Sequence, residues 1–271
     1  MMRISRFIDQ NNTLGYGILN NDNTAEILAG DLYHGLEPTG ELTSVSKILA
    51  PLEPSNILGI GLNYHEHAKE TGKDKDISEN PILFMKPPTA VIGPGDDIKI
   101  PKCSTWGPEV DFEAELAVII GRAALDVPVE SALEYVLGYT CSNDVSARRW
   151  QKHGGGGQWV RGKGFDTFCP LGPVLVTADE IPDPQQLQIR CKLNGEVMQD
   201  GNSSDMIFPI AKLISEISRD RTLTPGTVIL TGTPPGVGVA RKPPLFMQGG
   251  DVVTIEIEKI GQLTNRVTGN S

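Results

Sequence analysis

The stretch VDFEAELAVIIG, residues 110–121, decides how this chain reads. Its short apolar run marks a β-strand, and a strand alternates its side chains with a period of two. Glu113 and Glu115 therefore share one face, while Phe112, Ala114 and Leu116 share the other. Two carboxylates side by side raise each other's pKa and weaken the strand unless something positive lies between them. A divalent cation removes that conflict: Mg²⁺ and Mn²⁺ are held by a few carboxylates, with water and substrate completing the octahedron. Further on, Asp144 in CSNDVSAR (141–148) supplies a third hard oxygen donor at a strand end. Taken alone, an E-x-E is more often a solvated strand face, so the surrounding segments have to decide.

The bulk composition narrows the field. A chain of 271 residues, 39% of them hydrophobic, buries a large core and accommodates one big domain or a small domain joined to a larger one. A net charge of -10 opposes nucleic-acid or anionic-membrane binding as the main task, and an anionic substrate then needs local cations. Cys103, Cys141, Cys169 and Cys191 show no C-x-x-C spacing, and MMRISRFIDQ has no apolar segment of signal-peptide length, so the expected compartment is the reducing cytoplasm. Aliphatic stretches such as 116–120 are too short to span a bilayer.

Residues 1–54 read as a small N-terminal domain of short apolar runs ending at the connector PLEP, and residues 55–271 as a second, larger domain. NILGIG is a strand, after which Asn63 is expected to cap a helix that Gly72 ends. On that helix His67 and Glu70 share a face at i, i+3, whereas His65 and His67 are about 200° apart and cannot chelate one ion together. Pro128 opens a helix with Ala132, Leu133 and Val136 on one side. LQIRCKLNGEVMQ is a hairpin turned at Asn194-Gly195, residues 207–219 an amphipathic helix, and TVILTGTPPGVG and DVVTIEIEKIG are strands. Strands outnumber helices, which places the chain in a strand-rich α+β class.

Other motifs fall short. GIGLNY (59–64) begins like a dinucleotide fingerprint but carries Tyr64 in place of the third glycine. GQWVRGKG (157–164) has phosphate-loop spacing, with Gly164 where Ser or Thr should reach Mg²⁺. Lys163, between two glycines, has room to reach into a cleft. Alone it is equally a surface lysine. His67 with Glu70 makes an acid/base couple or a surface salt-bridge face, and Arg148 and Gln151 continue one helical face from Asp144, directed away from the metal, as a carboxylate clamp and a neutral donor.

Taken in order, ILGIGLNYHEHAKETG, ILFMKPPTAVIGPGDDI, VDFEAELAVIIGR, GYTCSNDVSARRWQ, GKGFDTFCPLGP, LNGEVMQDGNSSDMIF and VILTGTPPGVGV resemble the fumarylacetoacetate hydrolase superfamily across about residues 55–265. The ending RKPPLFMQGGDVVTIEIEKIG is most similar to the branch of fumarylacetoacetate hydrolase domain-containing protein 2. The resemblance implies a mixed β-sandwich roll, a homodimer, and Mg²⁺ or Mn²⁺, with Ca²⁺ as a substitute, on Glu113, Glu115 and Asp144. It also implies catalytic roles for His67, Glu70 and Lys163, and substrate contacts from Arg148, Gln151, Lys163 and Thr233. The implied substrates are 2-oxo acids reacting through a metal-stabilised enolate. The outcome is C–C hydrolysis of an acylpyruvate or keto-enol tautomerisation of oxaloacetate, with oxaloacetate decarboxylation and 2-hydroxymuconate-type isomerisation as alternatives. A non-catalytic organic-acid binder and a nucleotide binder centred on Lys163 are the competing classes. The glycine-heavy segment His153 to Gly157 departs from the pattern where relatives cover the substrate.

Overall fold

A computed structural model describes residues 2–74, 77–105, 107–154 and 157–269; residues 155 and 156 of the glycine-heavy segment lie outside them. The strand Ala114–Ile120 runs antiparallel to Val136–Asn143 on one side and to Thr227–Leu230 on the other. All its residues are buried. Leu116, Val118 and Ile120 enter one core with Ile189, Cys191 and Ile255, whereas Ala117 and Ile119 enter a second with Leu28, Leu171 and Val228. Period two thus divides one strand between two apolar layers, each buried aliphatic side chain contributing roughly 1.5–3 kcal/mol.

From this centre the sheet extends through Cys169–Thr177 to the N-terminal strands Arg3–Asp9, Leu14–Leu19, Thr24–Asp31 and Gly35–Leu49. In the other direction it passes Asn56–Gly61, parallel to Thr227–Leu230, and ends at Ile82–Lys86. A second sheet, ordered Glu196–Asn202, Gln188–Leu193, Val252–Ile257, Gly261–Thr268 and Asp97–Lys99, closes over the first core. The architecture is the strand-rich mixed β-sandwich roll expected. Its α-helices among the described residues are short: His65–Glu70, Arg148–Lys152, Trp159–Lys163 and Ile210–Ile217.

Local expectations fared unevenly. Asn194 (φ 52°) and Gly195 (φ 86°) both lie in the left-handed region that a type I′ turn demands. Ile210, Leu213, Ile214 and Ile217 form the buried face of their helix. The segment after Pro128 is instead a 3₁₀ helix, Val129–Tyr135, whose three-residue period buries Ala132 and leaves Leu133 38% exposed. Asn63 caps no helix. Its buried amide bonds Phe208 and Thr231 across the fold, and the backbone N–H of Glu66 is taken by Asp205 Oδ2.

Candidate active site

The ends of separate elements meet at one cavity of about 430 Å³. Glu115 lies inside the strand Ala114–Ile120, but Glu113 lies in the break between it and the short strand Val110–Asp111. There its N–H bonds Asn143 Oδ1 at 3.0 Å, and its carbonyl accepts from the Asp144 N–H at 2.9 Å. Those two bonds pin Asp144 beside Glu113. One oxygen from each of Glu113, Glu115 and Asp144 lies within 4.8 Å of the others, and all three residues are buried. A solvated strand face is excluded.

The surrounding cations are distributed unequally. Lys163 Nζ donates to Glu113 Oε2 (2.7 Å), Asp144 Oδ2 (2.5 Å) and Ser146 Oγ (2.7 Å). Lys86 Nζ, with no exposed side-chain surface, donates to Asp144 Oδ1 and to the Val145 carbonyl (3.2 Å). Arg148 places Nη1 2.6 Å from Glu113 Oε1 and Nε 2.8 Å from Asp111 Oδ2. Glu115 receives only the Gly232 N–H, at 2.7 Å, and no lysine or arginine among the described residues bonds it.

The two glutamates accordingly part company. Burial opposes ionisation of Glu113, yet Lys163 and then Arg148 hold its carboxyl well below the usual range. Burial pushes Glu115 well above that range, and Asp144 and Glu113 add to the rise. They do not raise each other symmetrically, because Lys163 and Arg148 bond Glu113 directly, whereas at Glu115 the charge of Lys163 offsets only part of the rise. Three buried oxygen donors, one of them bonded to no cation among the described residues, fit a hard divalent ion.

The helix His65–Glu70 faces this cluster. His67 and Glu70 line up as expected: Nδ1 lies 3.3 Å from Glu70 Oε1, and Glu70 Oε2 accepts the N–H of Gly236. That contact assigns the proton to Nδ1 and leaves Nε2 as a base toward the cavity, which His67 lines. Lys163 Nζ is turned onto carboxylates, so the phosphate-loop reading of its segment falls away.

Arg148 and Gln151 do not continue a helical face from Asp144. Ser146–Ala147 pairs with Val110–Asp111 as extended chain, and the helix begins only at Arg148. Arg148 therefore turns toward Glu113 instead of away from it. Its Nη1 also bonds Gln151 Oε1 (3.1 Å), and its buried Nη2 has no partner among the described residues. Thr233 donates to the Ala114 carbonyl (2.9 Å), accepts from Gln199 Nε2 (2.7 Å) and lines the cavity.

Sequence reasoning missed two residues. Lys86 shares strand parity with the buried Phe84 in ILFMK, and a lysine on a buried parity requires a buried anion. Asp111 accepts four bonds, from Arg148 Nε and the N–H groups of Phe112, Gly238 and Val239, which ties the arginine to the loop over the cavity. Nothing in VDFE distinguishes that aspartate from a solvated one.

Comparison with known proteins agrees with this geometry. Residues 56–268 match the family model described as fumarylacetoacetate (FAA) hydrolase C-terminal, and residues 2–51 match one described as Rv2993c-like, N-terminal. The chain belongs to the fumarylacetoacetate hydrolase family. It is 49% identical over 221 residues to "Oxaloacetate tautomerase fahd2, mitochondrial" of Xenopus laevis, covering 81% of this chain and 68% of that one. Against the Homo sapiens oxaloacetate tautomerase FAHD2A it is 46% identical over 231 residues, 85% and 71% of the two chains. Among solved structures, the 5-carboxymethyl-2-hydroxymuconate delta-isomerase of Mycobacterium smegmatis superposes with a TM-score of 0.84 at 38% identity, over 98% and 99% of the chains. The family is one of enzymes, and this member carries its strand-rich fold and its buried acidic cluster.

Proposed function

We propose that this chain is a divalent-metal-dependent tautomerase of 2-oxo acids, interconverting the keto and enol forms of oxaloacetate. The observation that carries the reading is the pairing, across one cavity, of a carboxylate cluster whose Glu115 has no cation with a His67–Glu70 couple that leaves Nε2 free. Relatives named oxaloacetate tautomerase support the substrate.

Glu113, Glu115 and Asp144 would hold Mg²⁺ or Mn²⁺, which when bound withdraws electron density from a 2-oxo group and acidifies the neighbouring carbon. His67 Nε2 takes a proton from C3 of the keto acid, and the same proton is returned to the C2 oxygen to give the enol. Glu70 holds the imidazole through Nδ1 and steadies the positive charge it acquires. Lys163, whose three N–H donors go to Glu113, Asp144 and Ser146, would add positive charge beside the developing oxyanion through space. Arg148 lines the cavity with Gln151 and Thr233, and its guanidinium would give a substrate carboxylate a charge-assisted bond. Phe84 and Trp159, with ring centroids 5.6 Å apart, wall the cavity against water.

The test is an assay of oxaloacetate and several acylpyruvates with Mg²⁺ or Mn²⁺, following enol absorbance and pyruvate release separately. Enol loss without pyruvate is the expected result. Pyruvate from an acylpyruvate would make the chain a hydrolase, and pyruvate from oxaloacetate alone a decarboxylase. The proposal includes a homodimer, to be checked by light scattering. It also includes a cytoplasmic location, to be checked by fractionation, since the relatives' names say mitochondrial.

A further inference from the structure

The cavity changes sign from its floor to its opening. Its floor holds the buried Glu113 and Glu115 with Arg148 and Lys163; its opening is lined by Lys73, just beyond the helix His65–Glu70, and Lys152, the last residue of the helix that begins at Arg148. Both lysines are exposed, and neither ammonium makes an ion pair or hydrogen bond with any described residue. Lys47, Lys69 and Lys192, by contrast, pair with Asp96, Glu66 and Glu256. In a protein with 34 acidic and 24 basic residues, two unpaired ammonium groups at one opening reverse the local field. They also lie within reach of one another: burial, then Arg148, then Lys73 lower the pKa of Lys152. An anion placed between the two would relieve that repulsion.

The geometry fixes which end of a ligand they meet. Lys152 follows Arg148 by four residues, one helical turn, so its attachment point lies about 6 Å further along the helix than the arginine that bonds Glu113. A ligand with its 2-oxo acid end on the carboxylate cluster and Arg148 extends its other end toward the lysines. The walls between floor and opening include the apolar Val237, Val239 and Trp159, which suit a carbon chain. We propose that Lys73 and Lys152 form a subsite for a second carboxylate, making the cavity selective for 2-oxo dicarboxylates over 2-oxo monocarboxylates of the same length. This rests on the 2-oxo-acid reading above and adds the chemistry of the far end.

The test uses length-matched acids: oxaloacetate against 2-oxobutanoate, and 2-oxoadipate against 2-oxohexanoate. With the metal-loaded protein, the other three acids are measured as competitors of oxaloacetate enol turnover, and all four as ligands in thermal-shift titration. Wild type should bind the diacid of each pair at least tenfold more tightly. Lys152→Ala and Lys73→Ala should each cut that preference about threefold to tenfold, the size of one partly exposed charge-assisted bond. The double variant should bring it near unity, Lys152→Arg should retain it, and raising salt from about 20 to about 200 mM should weaken the diacid more than the monoacid. Equal wild-type affinity within each pair, or an unchanged preference in the double variant, overturns the subsite. Because both side chains are exposed, unchanged melting temperatures will show that the variants are folded. Failure of the wild type to bind or turn over any 2-oxo acid would overturn the proposed function and this subsite with it. Turnover without diacid preference would overturn only the subsite.

Discussion

Glu115→Gln separates what the carboxylate cluster costs the fold from what it does for the ion. Glu115 is 1% exposed and accepts one bond, from the Gly232 N–H, which a glutamine oxygen can accept equally well. The change removes a charge held out of water beside Asp144 and Glu113, and keeps the shape. Relieving a buried, poorly compensated charge is worth about 1–4 kcal/mol. At about 3 °C per kcal/mol for a chain of this size, the metal-free variant should melt several degrees above metal-free wild type. The effect depends on pH in a defined direction. Burial, and then the carboxylates of Asp144 and Glu113, raise the folded pKa of Glu115 well above the usual carboxylate value. Its penalty is therefore absent below the unfolded pKa and grows as pH rises toward the folded one, so the gap in melting temperature should widen between about pH 5 and pH 7. With Mn²⁺ at a hundred times its dissociation constant the order should reverse. Wild type gains about 2.7 kcal/mol from binding, and the variant, short of a ligand, gains far less. Differential scanning calorimetry with and without the ion reads both effects. A variant that is less stable without metal, yet fully stabilised by it, would refute the reasoning.

Three further changes probe the supports. Lys86→Met leaves Asp144 Oδ1 buried without its ammonium and should cost about 3–5 kcal/mol in urea unfolding, whereas an unchanged midpoint would show that Lys163 alone suffices. In Gly162→Ala the new methyl would sit 2.5 Å from the backbone N of Gln151. The two short helices must separate, and we expect a stability loss of about 1–3 kcal/mol together with a fall in kcat as Lys163 shifts. His67→Asn should lower kcat by about 10²–10⁴ while leaving Mn²⁺ binding by calorimetry intact, and loss of binding would move His67 from proton carrier to ligand.

The fold was legible wherever one period dominated. The short apolar run in 114–120 marked a strand, Asn194-Gly195 marked a hairpin, and Ile210, Leu213, Ile214 and Ile217 marked a helix, because each pattern answers to local geometry. What failed was decided by distant partners. Asn63 has the chemistry of a cap but bonds Phe208 and Thr231, well over a hundred residues away. Arg148 looked like a helical neighbour of Asp144 until the pairing of Ser146–Ala147 with Val110–Asp111 straightened the chain between them. The carboxylate cluster was readable from three acidic residues and a resemblance. The asymmetry between Glu113 and Glu115 was not, since it depends on which oxygens Lys163 and Arg148 reach. Lys86 escaped notice because a lysine beside Pro-Pro reads as the end of an edge strand, and only its partner Asp144 gives it meaning.

The most direct measurement follows oxaloacetate enol absorbance with chelator-stripped protein while Mn²⁺ is added back, with ion binding recorded by calorimetry on the same sample. Tautomerisation should be absent at the start, return in step with binding of the ion, and fail to return in Asp144→Asn. Full turnover by the stripped protein, or binding and turnover unaffected in Asp144→Asn, would contradict a metal-assisted enolisation at Glu113, Glu115 and Asp144.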